Sequence, residues 1–337
     1  MKVLISGDVV GHIDDLYTRV KSILRQAKSG SFDCIFCVGE FSAADREAEL
    51  AKYLSGEAEP VLPTYFFEPG SSKALAPKLS QHETDVIEVA KNLYYLGRGG
   101  IKTVKKLTVA FLARDHTSQA DMEGLKKVCM RPFYFGADFL LTTDWPQGAE
   151  VDLPAASFEE LKKMGVHVAA AGHPDNTAAA LAAKPRYHFA ATRDAFFQRL
   201  PYRLPEPPPP GQKGVVFTRF VALATVGNPD KKRRWMHALS VEPVTHVAAD
   251  VLTAQPAGTT ECPYVMRRVM AGGNGTGGRG KRGAVAANVN GPAGKRARDD
   301  GWAERISEEE AGRRADSGMF FFADRSGRGG GRGSGRG

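Results

Sequence analysis

Five acidic residues each stand just past a short apolar run: Asp8 after KVLISG, Glu40 after CIFCVG, Glu68 after VLPTYFF, Asp144 after LLTT and Asp194 after YHFAATR. In an open α/β sheet, ligands gather beyond the carboxyl ends of the strands, so acids in these places would share one rim. Oxygen ligands suit a hard divalent cation, magnesium or manganese, and with it phosphate chemistry. Acids also follow strands for a second reason, since they cap the next helix by accepting from its free N–H groups. Spacing alone leaves both readings open.

The elements that must position these acids are legible in outline. A strand at 2–7 is followed by Ile13, Leu16, Tyr17, Val20, Ile23 and Leu24 at helical spacing, which predicts an amphipathic helix. The same order recurs at 33–38 then 44–54, and at 61–67 then 83–90, which argues for an α/β domain with parallel strands joined by helices. Residues 93–112 read as a hairpin-rich section. A helix near 121–130, strands at 137–142 and 186–190, and two hairpins at 215–226 and 234–242 complete the pattern. The proline-rich stretch 204–210 is a loop, because proline lacks the N–H that a strand or helix interior needs.

Composition narrows the class. The 337 residues are 42% hydrophobic and 25% charged, enough for a sizeable core, which excludes disorder throughout. No run reaches the roughly eighteen apolar residues of a membrane span, and Asp8 interrupts the place where a signal peptide would continue, so an intracellular protein with no membrane partner is expected. Four cysteines make no disulfide scaffold. Cys34 and Cys37 are spaced C-x-x-C inside an apolar run with no second pair at zinc-ligand spacing, and read as buried strand cysteines. His188, between Tyr187 and Phe189, reads as a core histidine, and His173 as a loop histidine before a helix.

Charge and glycine concentrate at the far end. Residues 271–337 carry +5 of the net +8 and 19 of the 37 glycines. So few large aliphatic side chains cannot offset the entropy of ordering, and the expected organisation is a domain at 1–265 with a disordered Gly/Arg-rich tail at 266–337. Lys281 and Arg282 are separated by the twelve residues 283–294 from Lys295, Arg296 and Arg298, the spacing of a two-part nuclear localisation signal. Arg325, Arg328, Arg332 and Arg336 lie in RSGRGGGRGSGRG, a tract suited to RNA through phosphate charge and guanidinium stacking. Lys231, Lys232, Arg233 and Arg234 are a second candidate RNA contact, with a solvated turn as the alternative.

Taken in order, the blocks Gly7-Asp8-Val9-Val10-Gly11, Val38-Gly39-Glu40, Asn92 to Gly97, Leu140 to Pro146 and Pro185 to Ala191 resemble the calcineurin-like metallophosphoesterases, among them RNA lariat debranching enzymes. The stretch Thr218 to Pro229, with basic residues after it, is similar to the CwfJ-like, or Cwf19-like, spliceosomal proteins. The resemblance covers about residues 1–265. It implies a metallophosphoesterase-like two-sheet sandwich flanked by helices, and a nuclear protein working with the spliceosome, RNA and the RNA lariat debranching enzyme on excised introns. CwfJ-like proteins usually continue into a part bearing Cys and His residues, where this chain has its Gly/Arg tail.

The site departs from the family's catalytic pattern. Val10 holds the place of the first block's histidine, with His12 two residues late; Glu40 replaces an aspartate; and Glu68-Pro69-Gly70-Ser71-Ser72 stands where Gly-Asn-His is expected. Thr143 and Thr192-Arg193-Asp194 replace a histidine and a His-x-His. Without those imidazoles no two-metal clamp or leaving-group acid remains, leaving Asp8, Glu40 and Asp194 as a remnant that would hold one Mg²⁺ or Mn²⁺ and no resident cofactor. A noncatalytic RNA-processing factor is expected. The alternatives are a metal-dependent phosphodiesterase acting on RNA and a pure protein-interaction module.

Overall fold

Alternation with a period of two in the first strand, β1 (Lys2–Ser6), sends Val3 and Ile5 to one face and Leu4 to the other, with all three fully buried. A strand buried on both faces belongs inside a sheet that is covered on both sides. That is its place in the computed structural model, which describes residues 1–26, 32–79, 86–114, 118–166, 172–191, 193–209 and 211–265. After β1 come α1 (Ile13–Gln26), β2 (Cys34–Cys37), β3 (Glu40–Ser42), α2 (Glu47–Ser55), β4 (Thr64–Phe66), β5 (Glu68–Gly70), α3 (Ala76–Leu79), β6 (Ile87–Ala90) and β7 (Leu93–Tyr95). The hairpin β8 (Gly99–Val104) and β9 (Leu107–Leu112) leads to α4 (Gln119–Cys129), β10 (Phe139–Thr142), α5 (Ala155–Lys163), α6 (Pro174–Ala183) and β11 (Tyr187–Ala190). The last elements are β12 (Phe197–Gln198), β13 (Tyr202–Arg203), β14 (Phe217–Ala222), β15 (Met236–Ser240) and α7 (Ala249–Thr253).

Two sheets result. The first has the order β15-β1-β2-β4-β7-β6 and the second β12-β14-β11-β10-β9-β8, with β13 beside β14; β3 and β5 form a short separate pair. Inner strands run parallel, and β15, β6, β8, β12 and β13 join antiparallel at or near the edges. Val3, Ile5, Cys34 and Phe36 from the first sheet share a core with Val109, Phe111, Phe139, Leu141, Phe189 and Val221 from the second. The opposite face of the first sheet packs on α1 and α2 through Leu4, Ile35, Leu16, Val20 and Leu50. The opposite face of the second packs on α4, α5 and α6 through Leu140, Phe220, Leu125, Leu161 and Ala179. The layers are therefore helix, sheet, sheet, helix, a mixed α/β arrangement.

Two sequence expectations are corrected. The segment read as a helix over 83–90 contains β6, paired antiparallel to β7 with an irregularity between Glu88 and Ala90. Val86, Ile87, Val89 and Ala90 are too few to distinguish the two periods, and pairing at a sheet edge decides. The two late hairpins are not hairpins: β14 lies beside β11 in the second sheet, while β15 crosses to pair with β1 in the first. The tail at 266–337, including the nuclear-localisation and Gly/Arg residues named above, lies outside the described residues. Among the described residues no helix is long and apolar enough to cross a membrane.

The hairpin joining β8 to β9 turns in two residues between the pair Val104 and Leu107. Lys105 and Lys106 both have positive φ, 46° and 74°. Such a turn favours Asn-Gly, and each left-handed side-chain-bearing residue costs about 1 kcal/mol.

Candidate functional site

The carboxyl ends of β1, β2 and β4 from one sheet and of β9, β10, β11 and β14 from the other meet along one rim. The meeting is close at Gly39 (φ 83°), where a Cβ would run into the Asp8 carboxylate and the Ala191 methyl. Val226 N–H donates to the Asp8 carbonyl at 2.8 Å, and Thr143 Oγ1 donates to the Glu68 carboxylate at 3.3 Å, stitching the sheets together. Val10, in the loop after β1, has φ 46°, which is rare for a β-branched side chain and marks a strained turn at the rim.

All five strand-end acids lie here, and three of them are engaged by arginines. Glu40 is paired with Arg114 at 2.8 Å. Asp144 receives a two-pronged contact from Arg193, Nε to Oδ1 at 3.0 Å and one terminal nitrogen to Oδ2 at 2.9 Å, and also accepts from the Trp145 N–H. Asp194, itself at φ 44°, accepts from Arg233 at 3.1 Å, from Thr225 N–H at 3.0 Å and from Asn228 Nδ2 at 2.9 Å. Glu68, 2% exposed, accepts from the backbone N–H of Arg114 at 3.0 Å, and Asp8 accepts from Glu40 N–H at 2.9 Å. A planar guanidinium matches a carboxylate fork and brings the positive charge a cation would otherwise supply.

The three acids assigned to a divalent cation are thus distributed. Asp8 and Glu40 are neighbours through the backbone of Glu40, whereas Asp194 is held by Arg233, Thr225 and Asn228. Among the described residues no group of three or more His, Cys, Asp or Glu side chains is arranged to hold a metal ion. The donor set does not fit a two-metal centre, and the rim residues bind each other.

The basic run divides in the same way. Lys231 and Lys232 are exposed, but Arg233 turns inward to Asp194 and to the Met164 carbonyl, and Arg234 lies over the Phe196 ring at 4.9 Å. Trp235 packs against the outer core of the first sheet. Sequence reasoning missed Arg114, although it follows β9 as the acids follow other strands; a strand-end search that counted bases would have found it.

The imidazoles are bonded to other groups than the rim acids. His188 is fully buried on β11, bonded to Thr142 Oγ1 at 2.8 Å, and burial pushes its pKa down to about 3. His237 on β15 is likewise lowered to about 4 by burial and then by Arg234. His173 caps α6, its Nδ1 accepting from Asp175 N–H at 3.3 Å, and His12 pairs with Asp15 at 3.0 Å. Cys34 and Cys37 are buried and unbridged, the Cys34 thiol pushed up to about 12 and Cys37 higher still by desolvation.

No family model matches the chain. It is similar to CWF19-like protein 1 of Homo sapiens, 34% identical over 280 residues, which cover 78% of this chain and 48% of that protein. The Caenorhabditis elegans CWF19-like protein 1 homolog is 31% identical over 284 residues, with 78% and 48% covered. Zinc finger CCCH domain-containing protein 64 of Arabidopsis thaliana is 30% identical over 285 residues, with 78% and 44% covered. The chain spans about half the length of these relatives. Among solved structures, Vps29 of Chaetomium thermophilum aligns with 72% of this chain and 83% of its own at 12% identity and a TM-score of 0.26, too slight a likeness to bear on fold or function.

Proposed function

Since this chain belongs to the CWF19-like family, we propose that it is a splicing-related protein, specifically a noncatalytic RNA-processing factor that works with the spliceosome in the nucleus. In this reading it binds RNA and assists or modulates debranching and turnover of excised intron lariats, in company with spliceosomal proteins and the RNA lariat debranching enzyme. The fold is read as a degenerate metallophosphoesterase-like body at 1–265, carrying a basic tail at 266–337.

The observation that supports the noncatalytic part is the pairing of rim acids with arginines: Glu40 with Arg114, Asp144 with Arg193 and Asp194 with Arg233. A working site needs those carboxylates on metal and an imidazole to protonate the leaving oxygen. Here the carboxylates are satisfied by the chain's own guanidinium groups, and His188 is a core residue. The exposed Lys231 and Lys232, with the tail arginines, supply phosphate contacts whose strength falls with salt.

The test uses the full chain: manganese and magnesium titrations by calorimetry, and turnover of a branched RNA by the same sample. No turnover, together with salt-sensitive RNA binding that weakens in Lys231→Glu/Lys232→Glu, is expected. Turnover abolished by Asp8→Ala would establish a metal-dependent phosphodiesterase instead. RNA affinity absent at all salt concentrations would leave a protein-interaction module.

A further inference from the structure

Away from the rim, an open groove of about 360 Å³ lies between the edge of the first sheet and the hairpin at the edge of the second. Its lining includes Tyr65, Glu88, Tyr94, Thr103 and Lys105. Its floor is the end of an aromatic row that crosses three strands: Phe36 on β2 stacks with Tyr65 on β4 at 5.4 Å, and Tyr65 with Tyr94 on β7 at 5.0 Å. Next in the row, on β6, is Glu88, the register partner of Tyr94. Its Oε1 accepts from Asn92 N–H at 3.1 Å, and it hydrogen-bonds the Tyr94 hydroxyl, whose pKa is raised by burial first and then by this bond. A carboxylate has about four acceptor sites, so capacity remains for further donors. Across the groove stands the Lys105-Lys106 turn, both side chains exposed and both backbones left-handed.

These three parts select a ligand class. An acidic peptide would meet Glu88, and a basic one would meet the two lysines. A ligand with a flat ring, N–H donors on the ring's edge and an anionic group a few ångströms away satisfies all of them, and that description is a nucleotide. Tyrosine faces stack on unpaired bases, carboxylates accept from base N–H groups, and lysines contact phosphate. The turn adds an independent sign, because strained residues persist where the strain serves a purpose, and Asn-Gly would close this hairpin without it.

We propose that the groove between β6–β7 and the β8–β9 turn binds one unpaired nucleotide of single-stranded RNA, its base on Tyr94 with N–H donors toward Glu88 and its phosphate on Lys105 and Lys106. Guanine, with two adjacent N–H donors on its pairing edge, fits Glu88 best. The site rests on the RNA-binding reading above and is separate from the 231–234 loop and the tail.

The test uses the full chain and a nine-nucleotide unstructured RNA carrying one photoactivatable 6-thioguanosine, followed by peptide mapping of the adducts. An adduct at Tyr94 or elsewhere within 87–106 is expected, and it should disappear in Lys105→Asn/Lys106→Gly. That variant should melt at a higher temperature, its turn being relaxed, while the slope of log affinity against log salt falls by about 1.4, or about 0.7 for each lost phosphate contact on a single strand. Adducts confined to other segments would overturn the groove and leave RNA binding intact; no adduct and no binding would overturn both. An unchanged adduct and slope in the double variant would also refute the site.

Discussion

The rim and the groove both gather charge between the two sheets, and they treat it oppositely. At the rim, acids from strand ends are each met by a donor from the chain itself, as far apart in sequence as Glu40 and Arg114. At the groove, Lys105 and Lys106 stand exposed in a turn that would be more stable with other residues. Charge consumed internally contributes to the fold, whereas charge left exposed at a structural cost points outward. His188 and His237 make a third case, buried within the strands with their pKa values pushed down by burial.

That contrast can be strained from several sides. The largest effect expected is on pH. His188 and His237 have folded pKa values of about 3 and 4, below the unfolded value of about 6.5, so the unfolded chain takes up protons first as pH falls. Their stabilising contribution is complete above pH 6.5 and lost progressively down to about pH 4 to 3; at pH 5 the loss is about 2 kcal/mol for each, read from urea unfolding at pH 7 and 5. An equal loss in a His188→Gln/His237→Gln variant would show that other groups cause it.

Glu68→Ala should destabilise by about 3 kcal/mol in urea unfolding, because it leaves the Arg114 N–H and Thr143 hydroxyl without their acceptor and opens a buried space. An effect under 0.5 kcal/mol would mean the rim does not hold the sheets together. Next is a paired measurement: Arg193→Ala is expected to cost about 1–2 kcal/mol through its two-pronged bond to Asp144, and Lys106→Ala to change stability by no more than about 0.5 kcal/mol. Similar values for the two would erase the distinction between rim and groove. The smallest effect is Val10→Asn, which should raise stability by about 0.5–1 kcal/mol, since asparagine tolerates φ near 46° better than valine.

Local pattern carried much of the architecture. The spacing of Ile13, Leu16, Tyr17 and Val20 predicts α1, and those residues are its buried face. What local pattern could not settle was pairing between distant segments. The edge partner of β7 decides that Ile87–Ala90 is a strand, and the free edge of β1 decides where β15 goes. The site divides in the same way. The strand-end acids are visible in sequence because each sits beside its own strand, while the ion pairs that neutralise them span 74 residues for Glu40 with Arg114 and 49 for Asp144 with Arg193. Arg193 and Arg233 lay in motifs already singled out, yet their inward direction depends on a rim that exists only once both sheets are assembled.

The crossing of β15 to β1 also sets a timetable for synthesis. β1 is made first and β2 soon covers one of its edges, but the strand that covers the other, Met236–Ser240, emerges some 230 residues later. At about 5–20 residues per second, the open edge of β1 waits on the order of 10–50 s for its partner. During that interval an unpaired apolar strand is a template for any extended chain nearby. A nascent chain stalled before residue 236 should therefore recruit holdases that release once Met236–Ser240 clears the exit tunnel.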